Sequence, residues 1–125
     1  MSDSAAGGCL CGAIRYRIDG APLASVTCQC RSCRRASAAP VVPWLHLDAA
    51  QLAFTAGTPV EFESSPSVKR TFCGRCGTPL TYWKTSYGQA IDVTTVTAEL
   101  KHGLLKITAS RSEPPSRVIP ISAAA

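Results

Sequence analysis

Alternation of hydrophobic and polar side chains marks several short segments of this chain. In residues 13–18, three large apolar side chains alternate with two arginines. This two-residue period is typical of a strand with one buried face. Comparable short segments, several of them next to Gly or Pro, follow at residues 51–55, 60–63, 68–72, 80–83 and 90–96. The pattern therefore predicts a mainly β fold.

Turn residues separate these predicted strands. Gly57–Pro59 predicts a hairpin between the strands on either side of it. Cys73–Gly77 predicts a second tight turn, and this one carries a pair of cysteines. We expect little helix, limited to one short turn at 33–37 that ends before Pro40. Residues 110–125 contain several prolines and are expected to form an irregular tail.

Length and composition indicate one domain over residues 1–125, because a second core would need roughly 100 more residues. Hydrophobic residues make up 46% of the chain and charged residues 17%, so disorder is a poor description of the chain as a whole. No apolar run approaches the ~18 residues that span a bilayer. The first residues lack the basic and apolar regions of a secretory signal. We therefore expect a soluble, cytoplasmic protein.

Cysteine is the most informative residue type. The chain has 7 cysteines, and an odd number cannot all pair within one chain. Disulfides are also rare in the reducing cytoplasm. Closely spaced thiolates are instead typical of zinc ligands. The cysteines form three tight groups: Cys9 with Cys11, then Cys28, Cys30 and Cys33, then Cys73 with Cys76.

Spacing alone leaves the division of these thiolates between metal ions open. The last pair, with a two-residue gap and flanking glycines, has the form of a zinc knuckle. One division is an ordinary ribbon of Cys30, Cys33, Cys73 and Cys76, which leaves Cys9, Cys11 and Cys28. In any division into four and three, the four-cysteine site is closed and structural. The three-cysteine site keeps a fourth position for water or a substrate atom.

Basic residues lie beside two of the cysteine groups: Arg31, Arg34 and Arg35 beside the middle group, and Lys69, Arg70 and Arg75 beside the last pair. The net charge of +5 favours an anionic partner without identifying it. The arginines beside the middle group can bind carboxylates or form an ordinary solvated surface. No basic run is interleaved with aromatic residues, so the sequence does not favour nucleic acid as the partner.

Other polar and aromatic residues give weaker signals. The two histidines are isolated from the cysteine groups and are interpreted as structural or solvent-facing. The aromatic residues favour core packing over a pocket lining. Asp92, in a predicted strand, is either a base or a polar residue that faces a turn. The histidines are His46 and His102, and the aromatic residues are Trp44, Tyr82, Trp83 and Tyr87.

Three cysteine motifs, taken together, resemble those of the glutathione-dependent formaldehyde-activating enzyme family. They are GGCLCGAIRY at residues 7–16, CQCRSCR at 28–34 and FCGRCGTP at 72–79. The motifs occur in the order and spacing of the family, and the resemblance covers about residues 7–100.

The resemblance implies a fold, a metal content and an activity. The implied fold is a β-tent of small antiparallel sheets stabilised by zinc. The implied reaction joins formaldehyde to glutathione, giving S-(hydroxymethyl)glutathione, and is classed as a carbon–sulfur lyase reaction. From charge alone, we also expect Arg31, Arg34 and Arg35 to offset the negative charge of a three-thiolate zinc centre and to bind the carboxylates of glutathione. The resemblance implies a structural zinc held by Cys9, Cys11, Cys73 and Cys76, and a second, catalytic and more labile zinc held by Cys28, Cys30 and Cys33.

One residue departs from the family pattern. The family usually has His between the first two cysteines of the middle motif, and this chain has Gln29. Because an amide cannot act as a base, any proton-handling role of that His is missing. The alternative hypothesis is a non-catalytic, zinc-stabilised domain whose basic surface binds a protein or a nucleic acid. The sequence does not indicate the oligomeric state.

Overall fold

The structure, a computed structural model, describes residues 4–100, with only the backbone described for Val96, Glu99 and Leu100. Within this part of the chain, strands predominate and the α-helical content is a single short helix. The elements are β1 (Ser4–Gly8), β2 (Arg15–Asp19), β3 (Ala24–Cys28), α1 (Arg31–Ser37), β4 (Val42–Asp48), β5 (Leu52–Ala56), β6 (Val60–Ser65), β7 (Val68–Phe72), β8 (Pro79–Lys84), β9 (Ala90–Thr94) and β10 (Ala98–Leu100). Short 3₁₀ turns lie at Ala49–Gln51, Thr85–Tyr87 and Thr95–Thr97.

The strands form two antiparallel sheets. The smaller sheet has the order β10-β1-β2-β5, and the larger has the order β3-β4-β9-β8-β7-β6. The chain crosses between the sheets four times, after β2, β4, β5 and β9. The prediction of a mainly β fold with little helix is therefore confirmed.

The main hydrophobic core contains side chains from both sheets. Strand β2 alternates as predicted, with Tyr16 and Ile18 only 1% exposed and Arg17 exposed between them. The opposite strands contribute residues such as Leu47 and Val93, both fully buried. Burial of each such side chain stabilises the fold by roughly 1.5–3 kcal/mol, which makes this cluster the main link between the sheets.

A row of paired residues crosses the other face of the larger sheet. Arg70 on β7 lies opposite Tyr82 on β8, Tyr82 lies opposite Asp92 on β9, and Asp92 lies opposite His46 on β4. Directly opposed residues in antiparallel strands point to the same face. A second small core, made of Cys33, Val42 and Trp44 with Tyr82 packed against it, involves helix α1.

Helix α1 begins and ends at residues with clear capping geometry. Cys30 is the N-cap, and its sulfur accepts a hydrogen bond from the backbone N–H of Cys33. Ala38 ends the helix in the left-handed conformation, with φ of 50°. The helix therefore begins earlier than the turn predicted at 33–37, because a cysteine sulfur takes the role that a Ser or Asp oxygen often has.

The predicted hairpin around Gly57–Pro59 is wrong. Strand β5 pairs with β2 in the smaller sheet, whereas β6 pairs with β7 in the larger one. Gly57, with φ of 71°, lies so close to the Ala13 carbonyl that a Cβ atom there would collide with it. The turn thus directs the chain from one sheet to the other, and a local turn signal cannot distinguish this from a hairpin.

Two predictions fall outside the described residues: the irregular tail at 110–125 and the assignment of His102. Over residues 4–100, no helix has the length and apolar character required to cross a membrane.

Candidate functional site

Four cysteine sulfurs from distant parts of the sequence lie together. Cys9 and Cys11 lie in the connection from β1 to β2, and Cys73 and Cys76 lie in the turn from β7 to β8. All four sulfurs are within 4.8 Å of one another. The cluster joins a connection of the smaller sheet to a turn of the larger one. We call it the four-cysteine cluster.

The sulfur separations in this cluster fit a tetrahedral metal ion. The Cys9 and Cys11 sulfurs are 3.6 Å apart, and those of Cys11 and Cys73 are 3.8 Å apart. A tetrahedral zinc ion with Zn–S bonds of about 2.3 Å requires sulfurs roughly 3.8 Å apart. The donor set and its spacing therefore fit zinc.

Hydrogen-bond donors approach three of the four sulfurs, and at Cys76 they favour the thiolate form. The backbone N–H of Ile14 donates to Cys9 at 3.2 Å, and that of Arg75 donates to Cys73 at 3.4 Å. The Thr78 side chain, 3.2 Å from the Cys76 sulfur, and the Thr78 backbone together lower the pKa of the Cys76 thiol to about 5. Metal ions bind the thiolate, so these contacts prepare the cluster for a cation.

Each cysteine pair of this cluster is followed by a glycine in the left-handed region. Gly12 follows Cys11 and Gly77 follows Cys76, and both have φ of 81°. Side chains other than glycine rarely adopt this φ. The tight turns allow the two sulfurs of each pair to point the same way. Gly74, which lies between Cys73 and Cys76, has no positive φ.

The remaining three cysteines form a second group, the three-cysteine cluster. Cys28 ends β3, Cys30 is the N-cap of α1, and Cys33 lies in the first turn of that helix. Their sulfurs are also within 4.8 Å of one another, and no fourth His, Cys, Asp or Glu among the described side chains joins them. Cys33 is buried, whereas Cys30 is exposed. Three soft donors on one short segment fit a zinc ion that has one more coordination position.

The three thiols are not equivalent. The backbone N–H of Cys33 donates to Cys30 at 3.3 Å and lowers the pKa of the Cys30 thiol to about 7. Burial raises the pKa of the Cys33 thiol to about 11, although Arg70 acts in the opposite direction. Cys30 is therefore the most readily deprotonated of the residues with a shifted pKa in this cluster.

Arg70 contacts the three-cysteine cluster from β7. Its Nη2 and Nη1 atoms lie 3.6 Å and 3.8 Å from the Cys33 sulfur. Sequence analysis assigned no role to Arg70, which is 37 residues from Cys33. The register of β7 in the sheet brings the two together, and no local motif indicates that register.

The three arginines singled out from the sequence line an open hollow of about 410 Å³. All three belong to helix α1, which also carries Cys33. Arg31, Arg34 and Arg35 are exposed, so their guanidinium groups are accessible to an anion from solvent. The hollow thus provides concentrated positive charge on the same helix as the three-cysteine cluster.

Aromatic side chains occupy the face of the larger sheet that carries this cluster. The Tyr82 ring lies 5.9 Å from the Trp44 ring and 5.8 Å from the Tyr87 ring, measured between centroids. Trp44 is 3% exposed, in agreement with the core packing expected for it. Trp83 instead donates its indole N–H to the carbonyl of Gly88.

His46, Asp92 and Tyr87 form a hydrogen-bonded network beside these rings. Asp92 lies 2.6 Å from Nδ1 of His46 and 3.0 Å from the Tyr87 hydroxyl, which donates to it. Burial and the Asp92 carboxylate raise the pKa of the Tyr87 hydroxyl. The network fixes the orientation of the imidazole, and His46 belongs to neither cysteine cluster.

The fold and the two clusters define a class of small, mainly β proteins with two cysteine groups that can hold metal ions. The chain belongs to the glutathione-dependent formaldehyde-activating enzyme family, which matches residues 4–112. The resemblance found from the three motifs is thereby confirmed.

A solved structure agrees with this architecture. The chain is similar to a Rhodobacter sphaeroides protein known from its crystal structure, with a TM-score of 0.58 and 22% sequence identity. The alignment covers 74% of this chain and 85% of the other. At this identity the similarity indicates the fold alone. No curated protein matches the sequence.

Proposed function

We propose that this protein catalyses the reversible addition of the thiol of glutathione, or of a similar small thiol, to formaldehyde. Membership of the formaldehyde-activating family supports this proposal at the level of the reaction class. The single observation that carries it is the three-cysteine cluster, which offers three donors instead of four.

The two clusters divide into a structural and a reactive site. The four-cysteine cluster satisfies a tetrahedral ion completely and serves to hold the two sheets together. Cys28, Cys30 and Cys33 hold a second zinc ion, with the fourth position available to a ligand from solution. When bound, that ion supplies a site at which a thiol becomes a thiolate at neutral pH.

The reaction needs no oxidant or reductant. The S–H bond of the thiol breaks, and the sulfur electron pair forms a C–S bond to the formaldehyde carbon. The C=O π pair moves to the oxygen, which takes a proton, so RSH and CH₂O give RS–CH₂–OH. The part of the chain in this step is to position the thiol and concentrate its thiolate form.

The arginine hollow provides the proposed binding site for the rest of the thiol. Glutathione carries two carboxylates, and guanidinium groups bind carboxylates through paired hydrogen bonds. Arg31, Arg34 and Arg35 lie on the same short helix as Cys33, and the proposal requires an extended molecule to reach from the exposed hollow to the cluster. Each arginine alone is exposed and contributes little, so binding depends on at least two acting together.

A cobalt-substituted sample tests the binding step. Addition of glutathione is expected to change the thiolate-to-cobalt absorption, and formaldehyde is then expected to give adduct faster than in buffer alone. Cys28→Ser should abolish the glutathione response while the circular dichroism spectrum stays folded. The absence of any response to glutathione or another small thiol would contradict the proposal. It would favour the alternative of a zinc-stabilised binding domain.

A charge-matched pair of double variants tests the arginines. Arg34→Gln with Arg35→Gln removes two positive charges from the hollow and should weaken glutathione binding about tenfold. Arg17→Gln with Lys69→Gln removes two exposed charges from other strands and is the control. Equal affinities in the two double variants would contradict the role of the hollow.

A further inference from the structure

Arg70 is fixed by three separate contacts on the face of the larger sheet that carries the three-cysteine cluster. Its Nε donates to the Ser64 hydroxyl at 3.1 Å, and its guanidinium carbon lies 4.8 Å from the centre of the Tyr82 ring. Its two terminal nitrogens reach the sulfur of Cys33 at 3.6 and 3.8 Å. Sulfur is a large acceptor, so these are hydrogen-bonding distances. The guanidinium is thus held in one place before any ligand arrives.

The net charge of the metal centre explains what a guanidinium group does at this cluster. A Zn²⁺ ion with three thiolates carries a net charge of −1, and a fourth thiolate would make it −2. That charge opposes the entry of a thiolate and weakens the centre as a Lewis acid. One guanidinium against a cluster sulfur offsets one negative charge. Its hydrogen bonds also withdraw electron density from that sulfur.

We propose that Arg70 is a positioning residue that acts through Cys33 and allows the three-cysteine centre to accept an anionic thiolate as its fourth ligand. This inference rests on the proposed function, because it concerns the ligand of the same cluster. It adds that the fourth coordination position is specific for a thiolate over a neutral ligand.

The arginines of helix α1 do not take this role. Arg31, Arg34 and Arg35 are exposed around an open hollow, where water screens their charge. Arg70 is partly buried and stacked on Tyr82, so its charge acts through less water. Stacking and paired donation also require the planar guanidinium, which lysine lacks.

The first experiment measures the metal centre without any thiol. Cobalt-substituted wild type, Arg70→Gln and Lys69→Gln are compared by their thiolate-to-cobalt absorption bands. Lys69 is the matched control, because it is the neighbouring residue on β7, is exposed, and pairs with Glu61. Loss of the hydrogen bonds to Cys33 should make its sulfur a better electron donor. The band of Arg70→Gln should therefore shift to longer wavelength, while that of Lys69→Gln stays unchanged.

The second experiment measures ligand binding at the three-cysteine cluster. Glutathione is titrated into the same three proteins and into Arg70→Lys, with cyanide as a small anionic ligand and imidazole as a neutral one. Arg70→Gln should weaken glutathione and cyanide binding about tenfold and leave imidazole binding unchanged. Arg70→Lys keeps the charge and should recover part of the affinity. If Arg70→Gln does not fold, Arg70→Lys should show a smaller shift of the absorption band in the same direction.

These outcomes separate the two proposals. A wild-type protein that ignores every thiol contradicts the proposed function, whereas the band shift without thiol still tests the contact of Arg70 with Cys33. A wild type that binds glutathione, with Arg70→Gln equal to Lys69→Gln in both band and affinity, overturns the inference about Arg70. Equal losses for glutathione and imidazole would also overturn it, since the effect would not depend on charge.

Discussion

The carboxylate of Asp92 accepts a hydrogen bond from Nδ1 of His46 at 2.6 Å, although the Asp92 side chain is only 5% exposed. A buried carboxylate is unfavourable unless hydrogen bonds compensate for its lost hydration. The Tyr87 hydroxyl supplies a second hydrogen bond, at 3.0 Å. This network ties the 3₁₀ turn at Thr85–Tyr87 to strands β4 and β9, next to the rings that border the three-cysteine cluster.

The network predicts a difference between two substitutions at one position. Asp92→Ala leaves the His46 and Tyr87 donors without their acceptor and should lower the free energy of unfolding by about 2 kcal/mol. Asp92→Asn should cost less, because its amide can accept from Tyr87 and donate to the other tautomer of His46. Urea unfolding of the metal-loaded protein measures both.

Asp19→Ala is the control for this comparison. Asp19 pairs with Arg17 on the surface, where both side chains are 54% exposed, so its loss should cost less than about 1 kcal/mol. If Asp92→Ala were no more destabilising than Asp19→Ala, the buried network would contribute nothing to stability.

The raised pKa of Tyr87 predicts how the stability of the protein changes at high pH. Burial and the Asp92 carboxylate raise the pKa of the Tyr87 hydroxyl above its unfolded value of about 10. The folded protein therefore holds this proton more tightly than the unfolded chain does. This contribution to stability is fully present below about pH 10 and is lost as the pH rises further.

Tyr87→Phe removes that dependence. The variant should lose less of its free energy of unfolding between pH 9 and about pH 11 than the wild type does. Thermal unfolding at each pH, with tyrosinate absorbance as a second readout, gives the comparison. Identical pH slopes in the two proteins would show that the folded environment does not hold the Tyr87 proton.

The two cysteine clusters should differ when a ligand is removed. Cys73 is 1% exposed and belongs to the core as well as to the four-cysteine cluster, so Cys73→Ser should lose one metal ion and unfold the domain. Cys28→Ser should lose the other ion and keep the fold, because its cluster lies on one short segment. Metal analysis with circular dichroism measures both results.

Chelation gives an independent measurement on the unmutated protein. The three-cysteine cluster has one donor fewer and an exposed Cys30, so a mild chelator should remove its ion first and leave a folded, one-metal species. The freed Cys30 and Cys33 should then oxidise readily. Simultaneous loss of both ions and of the fold would contradict this order of lability.

Local sequence patterns predicted strands that have one apolar and one polar face, or that flank a recognisable turn. Strand β2 has alternating large apolar and charged residues, and β7 and β8 flank a cysteine turn, so each carries its own signal. Strands β1, β3, β4 and β10 were missed, and β4 shows one physical reason. Strand β4 lies between β3 and β9 in its sheet and has apolar side chains on both faces, and it contains Pro43, so it shows no simple alternation.

Local spacing predicted one part of the site, and the other part depends on contacts between residues that are distant in the sequence. Spacing identified all seven cysteines, because ligands of one motif are close in sequence. It left the division into four and three open, since this depends on the turn from β7 to β8 meeting the connection from β1 to β2. The contacts of Arg70 with Cys33 and of His46 with Asp92 join residues 37 and 46 positions apart. Only the sheet register brings such residues together.

Gln29 leads to the last prediction. It lies between Cys28 and Cys30, where the family pattern usually has His, and its side chain is exposed. A histidine fits there without displacing a buried neighbour and adds a group that can exchange a proton with the thiol or the nascent alkoxide. Gln29→His should therefore raise the rate of adduct formation by about tenfold or more, with thiol affinity within about twofold of the wild type.

The pH dependence distinguishes proton transfer from a simple gain in binding. The rate of Gln29→His should acquire an ionisation near the ordinary histidine value of about 6.5, absent from the wild-type profile. Gln89→His, at an exposed glutamine in the turn before β9, adds the same side chain elsewhere and should leave the profile unchanged. Nuclear magnetic resonance of the hydroxymethyl product gives initial rates for all three proteins. Equal rates in wild type and Gln29→His at every pH would mean that proton transfer at this position does not limit the reaction.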